Sequence, residues 1–169
     1  MAAQGKLILD YVLEHAETSA ARVYLTQPVG NSQVVDYTWA QVVDQSRRMA
    51  AHLQSRGFEP GARIAMLSKN CAHFIMTELA IWMAGYTTVA IFPTETAETV
   101  RYVLEHSGSS LLFVGKLDTW PQQQPGVPQG LPCIAFPLAP QSAFDTGMRS
   151  SGARRRSRVA PGAAPTTSR

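Results

Sequence analysis

Two cysteines, Cys71 and Cys133, are all that the chain contains, and neither sits in a C-x-x-C or other metal-like spacing. A disulfide framework is thereby excluded, a metal site is not expected, and a reduced, cytoplasmic compartment fits best. The glycines nowhere fall into G-x-G-x-x-G or G-x-x-x-x-G-K-[ST], so the two common sequence signatures for a phosphate cradle are missing. Long clean apolar runs are also absent. Met1 to Tyr11 carries Lys6 and Asp10 around a very short apolar patch, unlike a secretory leader. Phe74 to Phe92 is largely apolar over a membrane-spanning length, but Glu78 lies inside it and Gly85-Tyr86-Thr87-Thr88 interrupts the helical pattern. A buried helix followed by a buried strand is the better reading, and no transmembrane span is expected.

Acidic residues are missing altogether after Asp145, and this makes the net charge of +3 misleading. Residues 1–146 hold nine Lys and Arg against twelve Asp and Glu, a net −3, whereas residues 147–169 hold six Arg and no acid, a net +6. The basic character belongs to the tail. No specific nucleic-acid partner is therefore expected for the folded part. From residue 146 onward Gly, Ala, Ser, Pro and Arg dominate, a composition that cannot bury a core, so the chain divides into a folded portion, 1–145, and a disordered tail, 146–169.

What the chain does have is a strong alternation of helix and strand between Tyr37 and Phe92. Thr38 caps a helix whose Trp39, Val42, Val43, Met49, Ala50 and Leu53 recur at three- and four-residue steps. Gly57 and Pro60-Gly61 end it before Arg63-Ile64-Ala65-Met66-Leu67, a buried strand. A second helix, Ala72 to Ala84, is apolar nearly all round, Gly85 closes it, and Thr87 to Phe92 has the β-branched content of an interior strand. Strand, helix and strand within about 30 residues form a βαβ unit with parallel pairing.

Around this unit the pattern extends both ways. Lys6 to His15 reads as a short helix packing through Leu7, Ile8, Tyr11 and Val12. Val23–Thr26 and Gln33–Tyr37 read as a β-hairpin about the Gln27–Ser32 loop, shielding one flank of the sheet. Thr96 caps a further helix ended by Ser107-Gly108, and Leu111 to Gly115 makes a third parallel strand. Pro121 to Pro132 is a loop, Cys133 to Phe136 a fourth short strand, and Pro137 to Asp145 irregular. The fold class is α/β, a partial doubly wound parallel sheet (βαβαβ) preceded by a helix and a β-hairpin, with a disordered C-terminal tail. Such a half-sheet binds ligands at the carboxyl ends of its strands.

The segments GFEPGARIAMLSKNCAHF, ELAIWMAGYTTVAIFPTETAETVRYVLEHS and LLFVGKLD resemble the N-terminal part of an adenylate-forming (AMP-dependent) enzyme, closest to bacterial long-chain acyl-CoA synthetases. The resemblance runs from about Lys6 to Asp145. It implies a fatty acid activated with ATP and Mg²⁺ to an acyl-adenylate and then passed to coenzyme A, by a chain several times longer. It also implies a Ser/Thr/Gly-rich phosphate loop ending in lysine, adenine- and ribose-binding elements, a hinge and a C-terminal lysine, none of which this sequence carries. Where the family usually has proline before the end of its strand, this chain has Ala90. The abrupt turn to Arg-rich low complexity near Asp145 is of the kind that GC-rich DNA gives out of frame, and a truncated or frameshifted product is the expectation.

Accordingly no catalytic, cofactor-binding or metal-ligating residue is assigned, and no cofactor is expected for these residues alone. The candidates weighed are few. Lys69, in Ser68-Lys69-Asn70 after the first sheet strand, either faces a phosphate or carboxylate or is solvated while Asn70 caps the next helix. His73 with Cys71 makes two ligands, which is no site. His15, His52 and His106 are scattered over other helices, Ser107-Gly108-Ser109-Ser110 reads as a cap and turn, and Trp39, Trp82, Met49, Met76 and Met83 read as core. Arg154-Arg155-Arg156-Ser157-Arg158 reads as solvated tail. Three functions stand in order: part of an acyl-CoA synthetase inactive alone, a non-catalytic nucleotide- or CoA-binding module, and a protein binding RNA or a membrane surface through its tail. Apolar surface left uncovered by so partial a sheet leads to an expectation of self-association.

Overall fold

The computed structural model describes residues 5–145. The tail from residue 146, with its expected disorder, lies outside the described residues. The capping prediction at Thr38 holds in detail: its hydroxyl accepts from the Gln41 N–H at 3.3 Å while the Gln41 side chain accepts from the Thr38 N–H at 2.8 Å. This closed capping box starts α2 (Trp39–Ser55), and Gly57, at φ +70°, turns the chain away after it.

Four parallel strands form the main sheet in the order β4-β3-β5-β6. Strand β3 (Arg63–Leu67) lies against β4 (Thr87–Ile91) on one side, from Arg63 opposite Thr87 to Leu67 opposite Ile91. On its other side is β5 (Leu111–Val114), which in turn pairs with β6 (Cys133–Ala135). Alternation then fixes the layers. Ile64 and Met66 pack with Leu53 of α2 and Ile81 of α3 (Ala72–Met83), while Ala65 and Leu67 pack with Val100 and Leu104 of α4 (Ala97–Ser107). Helices thus cover both faces, the doubly wound arrangement, and no residue of α3 is exposed.

Several expectations are corrected. Strand β4 is the outer strand of this sheet among the described residues, not an interior one, and Ala90 lies exposed on it. The hairpin pairs β1 (Val23–Gly30) with β2 (Gln33–Thr38) through only two turn residues, Asn31 and Ser32, both at positive φ as a tight type I′ connection requires. It shields no flank of the parallel sheet. Tyr24, Leu25 and Tyr37 instead pack on the α2–α3 layer, and Trp39 stacks on Tyr24 at 3.6 Å. Helix α1 (Ile8–Thr18) turns Leu9, Val12, Leu13 and Ala16 inward, leaving Leu7 71%, Ile8 67% and Tyr11 51% exposed, because the buried stripe is one residue out of phase with the expected one. The Pro121–Pro132 loop contains α5 (Trp120–Gln123) and a 3₁₀ turn at Gln124–Gly126, since Pro121 and Pro125 sit in first turns where no N–H is needed. Gln141–Asp145 forms a short α6.

One hairpin side chain reaches the sheet-covering helices with a specific role. Buried Gln27 of β1 accepts the Ala72 N–H through Oε1 at 2.8 Å, satisfying an orphan donor of α3 from another element. Gln27→Ala should lower unfolding stability by about 1–3 kcal/mol, the cost of an unmet buried donor, read as a lower urea midpoint with an unchanged slope.

Candidate functional site

Chain order reverses direction between β3 and β5: the step from β3 to β4 goes outward to one side, and the next strand returns to the other side of β3. In doubly wound sheets that point opens a crevice at the carboxyl ends of the strands. Two short loops meet there, Ser68-Lys69-Asn70 after β3 and Gly115-Lys116-Leu117-Asp118 after β5.

The loops are tied to each other. The Gly115 N–H donates to Leu67 O at 2.9 Å and the Lys69 N–H to Lys116 O at 2.8 Å. Ser68, 3% exposed, accepts the Lys116 N–H at 3.0 Å through Oγ and donates its own proton to Lys69 O at 2.6 Å. Gly115 is there for close approach: a Cβ on it would lie 2.1 Å from Ser68 Oγ. At the rim the Lys69 ammonium pairs with the Asp118 carboxylate. Both are well exposed, so the pair contributes at most about 1 kcal/mol.

Of the residues weighed from sequence, Lys69 therefore is neither aimed at an open crevice nor simply solvated; it has Asp118. Asn70 does not cap α3. The N-cap is Cys71, without a side-chain cap of its own, and Gln27 meets the Ala72 N–H. Cys71 packs in the cluster with Phe113 and Phe136, whereas His73 sits half-buried with its ring 6.0 Å from Tyr37 and 6.4 Å from Phe136. Ser107 to Ser110 form the expected cap and turn, with Gly108 at φ +61° and the Ser107 and Ser109 hydroxyls 2.7 Å apart. Met76 is buried, and Trp39, Trp82, Met49 and Met83 are half-buried within the core clusters. His15, His52 and His106 lie on α1, α2 and α4. Arg154 to Arg158 lie outside the described residues. Asp118, Gly115 and Lys116 were missed, although the rule that singled out the residues after β3 applies equally to those after β5.

Burial holds the His73 imidazole below its ordinary pKa, and its Nδ1 has no partner among the described residues. The ring is thus neutral at pH 7 and resists protonation more than in the unfolded chain. Stability should be full above the unfolded value of about 6.5 and decline as pH falls through it, because the unfolded state then binds the extra proton. The urea midpoint of the protein, measured on both sides of that value, should fall toward acid pH relative to that of His73→Gln, which lacks this titration. Parallel profiles would contradict this.

The donor set at the crevice does not fit a triphosphate with its magnesium ion. Its one carboxylate is engaged by Lys69, and among the described residues no three His, Cys, Asp or Glu side chains stand close enough to hold a metal. Nor is any described helix long and apolar enough to cross a membrane.

Comparison with known proteins gives a consistent answer. The profile described as AMP-binding enzyme matches residues 12–157. A linear gramicidin synthase chain of Brevibacillus parabrevis is 31% identical over 109 residues, 64% of this chain and 2% of its own length. The long-chain-fatty-acid–CoA ligase FadD15 of Mycobacterium bovis is 36% identical over 78 residues, 46% of this chain and 13% of its own. Among solved structures, a benzoate CoA ligase from Burkholderia xenovorans superposes at TM-score 0.66 and 22% identity, covering 82% of this chain and 28% of that one. The chain thus spans a small part of the length of each.

Proposed function

The chain belongs to the AMP-binding enzyme family, and from that premise we propose that residues 1–145 are the N-terminal portion of the adenylation domain of a fatty acid–CoA ligase. The whole enzyme of that reading uses ATP, Mg²⁺ and coenzyme A and works in the cytoplasm. The 36% identity to a long-chain-fatty-acid–CoA ligase supports the substrate class, and two unpaired cysteines support the compartment. These residues supply the scaffold and do not adenylate by themselves. The observation that carries this is the closed crevice: Ser68 Oγ holds the Lys116 N–H and the Lys69 carbonyl, the Gly115 N–H goes to Leu67 O, and the Lys69 ammonium pairs with Asp118. Attack on the α-phosphate needs pyrophosphate held by oriented amides and cations, and neither loop presents a free row of them. The 169-residue protein should therefore give no fatty-acid-dependent ATP–pyrophosphate exchange above buffer. Exchange that depends on added fatty acid would overturn the reading.

A second reading, a non-catalytic nucleotide- or CoA-binding module, draws on Lys69 and Lys116 standing together at the strand-order reversal. Thermal shift with ATP, AMP and coenzyme A separates the two. A concentration-dependent rise lost in Lys69→Ala supports the module, and a flat response supports the scaffold. Exposed apolar side chains, Phe92, Val34 and Leu7 among them, support self-association of the isolated chain.

A further inference from the structure

We propose that His73 is a proton-operated tie: on gaining a proton it leaves its place beside Tyr37 and Phe136, and the β1–β2 hairpin comes away from the first turn of α3 while the parallel sheet stays folded. A fall in overall stability toward acid pH requires only a group that resists protonation; which part of the molecule lets go depends on what is packed on what. One face of the hairpin meets the start of α3 twice. Gln27 Oε1 takes the Ala72 N–H at 2.8 Å, and Tyr37 stands edge-on to the next residue, His73, with ring centroids 6.0 Å apart at 80°. The other aromatic neighbour of the imidazole is Phe136, 6.4 Å away, which packs in turn on Phe113 of β5. His73 thus links the hairpin to the sheet.

A positive charge is poorly placed there. An imidazolium donates from both nitrogens, and with Nδ1 buried and unpartnered among the described residues one N–H would go unanswered. His73 is also the second residue of α3, at the positive end of the helix dipole. No neighbouring group compensates. Tyr37 presents a ring edge, Asp36 lies on the opposite face of the hairpin with its carboxylate on the Thr26 hydroxyl at 2.6 Å, Ala135 and Pro137 flank Phe136, and Glu78 is more than a turn further along α3. Burial alone lowers the pKa of the ring. The hairpin is the part free to move. Gln27 is the one buried residue of β1, and β2 has none. Among the described residues, neither of the core clusters on the two faces of the parallel sheet takes a side chain from residues 23–38. The hairpin can therefore leave α3 without opening them, the mark of a low-stability unit. Its base stays joined to α2 through the Trp39 N–H on Arg22 O and the Tyr24–Trp39 stack.

Hydrogen exchange of the 169-residue protein in low concentrations of urea tests this, because a local opening exposes little surface and responds weakly to denaturant. The amides of Ala72, β1 and β2 should exchange through a nearly urea-independent opening, and those of β3 and β5 through a urea-sensitive one. Corrected for intrinsic rates, the hairpin opening should become up to about tenfold more populated for each pH unit below the ordinary histidine value of about 6.5. In His73→Phe that pH dependence should vanish. Hairpin amides as sensitive to urea as those of the sheet would mean that the hairpin leaves only with the whole fold, and the proposal falls. A local opening that ignores pH in the parent, or keeps its pH dependence in His73→Phe, removes His73 from the role. Should that variant fail to fold, nuclear magnetic resonance of the parent decides: loss of the His73–Tyr37 ring contact should track the imidazole's own titration, and a contact kept by the protonated ring overturns the proposal.

Discussion

Trp120→Ala should cost about 3–5 kcal/mol of unfolding stability, the usual loss when a buried tryptophan is cut back to Cβ. Against a domain stability of about 5–15 kcal/mol that is enough to leave much of the protein unfolded at 37 °C. Trp120 is fully buried and is the largest side chain in that state, set between α4 and the sheet with Val100, Leu104, Leu112 and Val114. Its burial depends on a local device: neighbouring Gln123, itself buried, donates from Nε2 to Pro93 O at 2.8 Å and Glu95 O at 3.1 Å, pinning α5 to the turn after β4. The indole N–H, in contrast, is buried with no partner among the described residues. Trp120→Phe removes that unmet donor along with part of the volume, so its loss should be much smaller than that of alanine. Urea unfolding of the two variants tests both statements. Equal losses would mean that the N–H has a partner after all.

Gly115→Ala should destabilise by about 3 kcal/mol, at the upper end of what one added methyl costs in a packed interior. The added Cβ would come within 2.1 Å of Ser68 Oγ, 2.3 Å of Ser68 Cβ and 2.6 Å of Phe136 Cδ2. Ser68 cannot swing aside cheaply, because its hydroxyl holds the Lys116 N–H and the Lys69 carbonyl at once. The strain therefore falls on the junction of the two loops. Ser68→Gly in the same chain removes the atoms that collide, so a double-mutant cycle should return a favourable coupling of about 1 kcal/mol or more. Additive losses would place the strain at Phe136 instead.

The central helices and strands were legible because each carries a period, a cap and a stop that agree. Thr38 with Gln41, Thr96 with Thr99, and the positive φ of Gly57 and Gly108 are local chemistry that sequence spells out. What was not legible depends on partners distant in the chain. Nothing local says that β4 ends as an outer strand, since β-branched residues suit either position. The out-of-phase face of α1 follows from where α2 and α3 lie, and its Leu7 and Ile8 mimic a core stripe. Trp120 was hidden by the surrounding Pro, Gln and Gly, a composition that reads as loop although Pro121 and Pro125 each occupy a position where proline favours a helical turn. At the crevice, Lys69 was visible from its place after a strand. Its tie to Asp118, 49 positions on, was not.

The central position of β3 has a consequence for how the polypeptide acquires its shape during synthesis. Both strands that flank it, β4 and β5, come later in the chain. This strand, buried from Ile64 to Leu67, therefore leaves the ribosome with neither neighbour made, and it cannot zip to completion until Val114 has emerged. The hairpin ahead of it closes across a two-residue turn and needs nothing downstream. Nascent chains halted between these points should display Ile64 to Leu67 as an accessible apolar strip, the kind of segment that holdase chaperones capture.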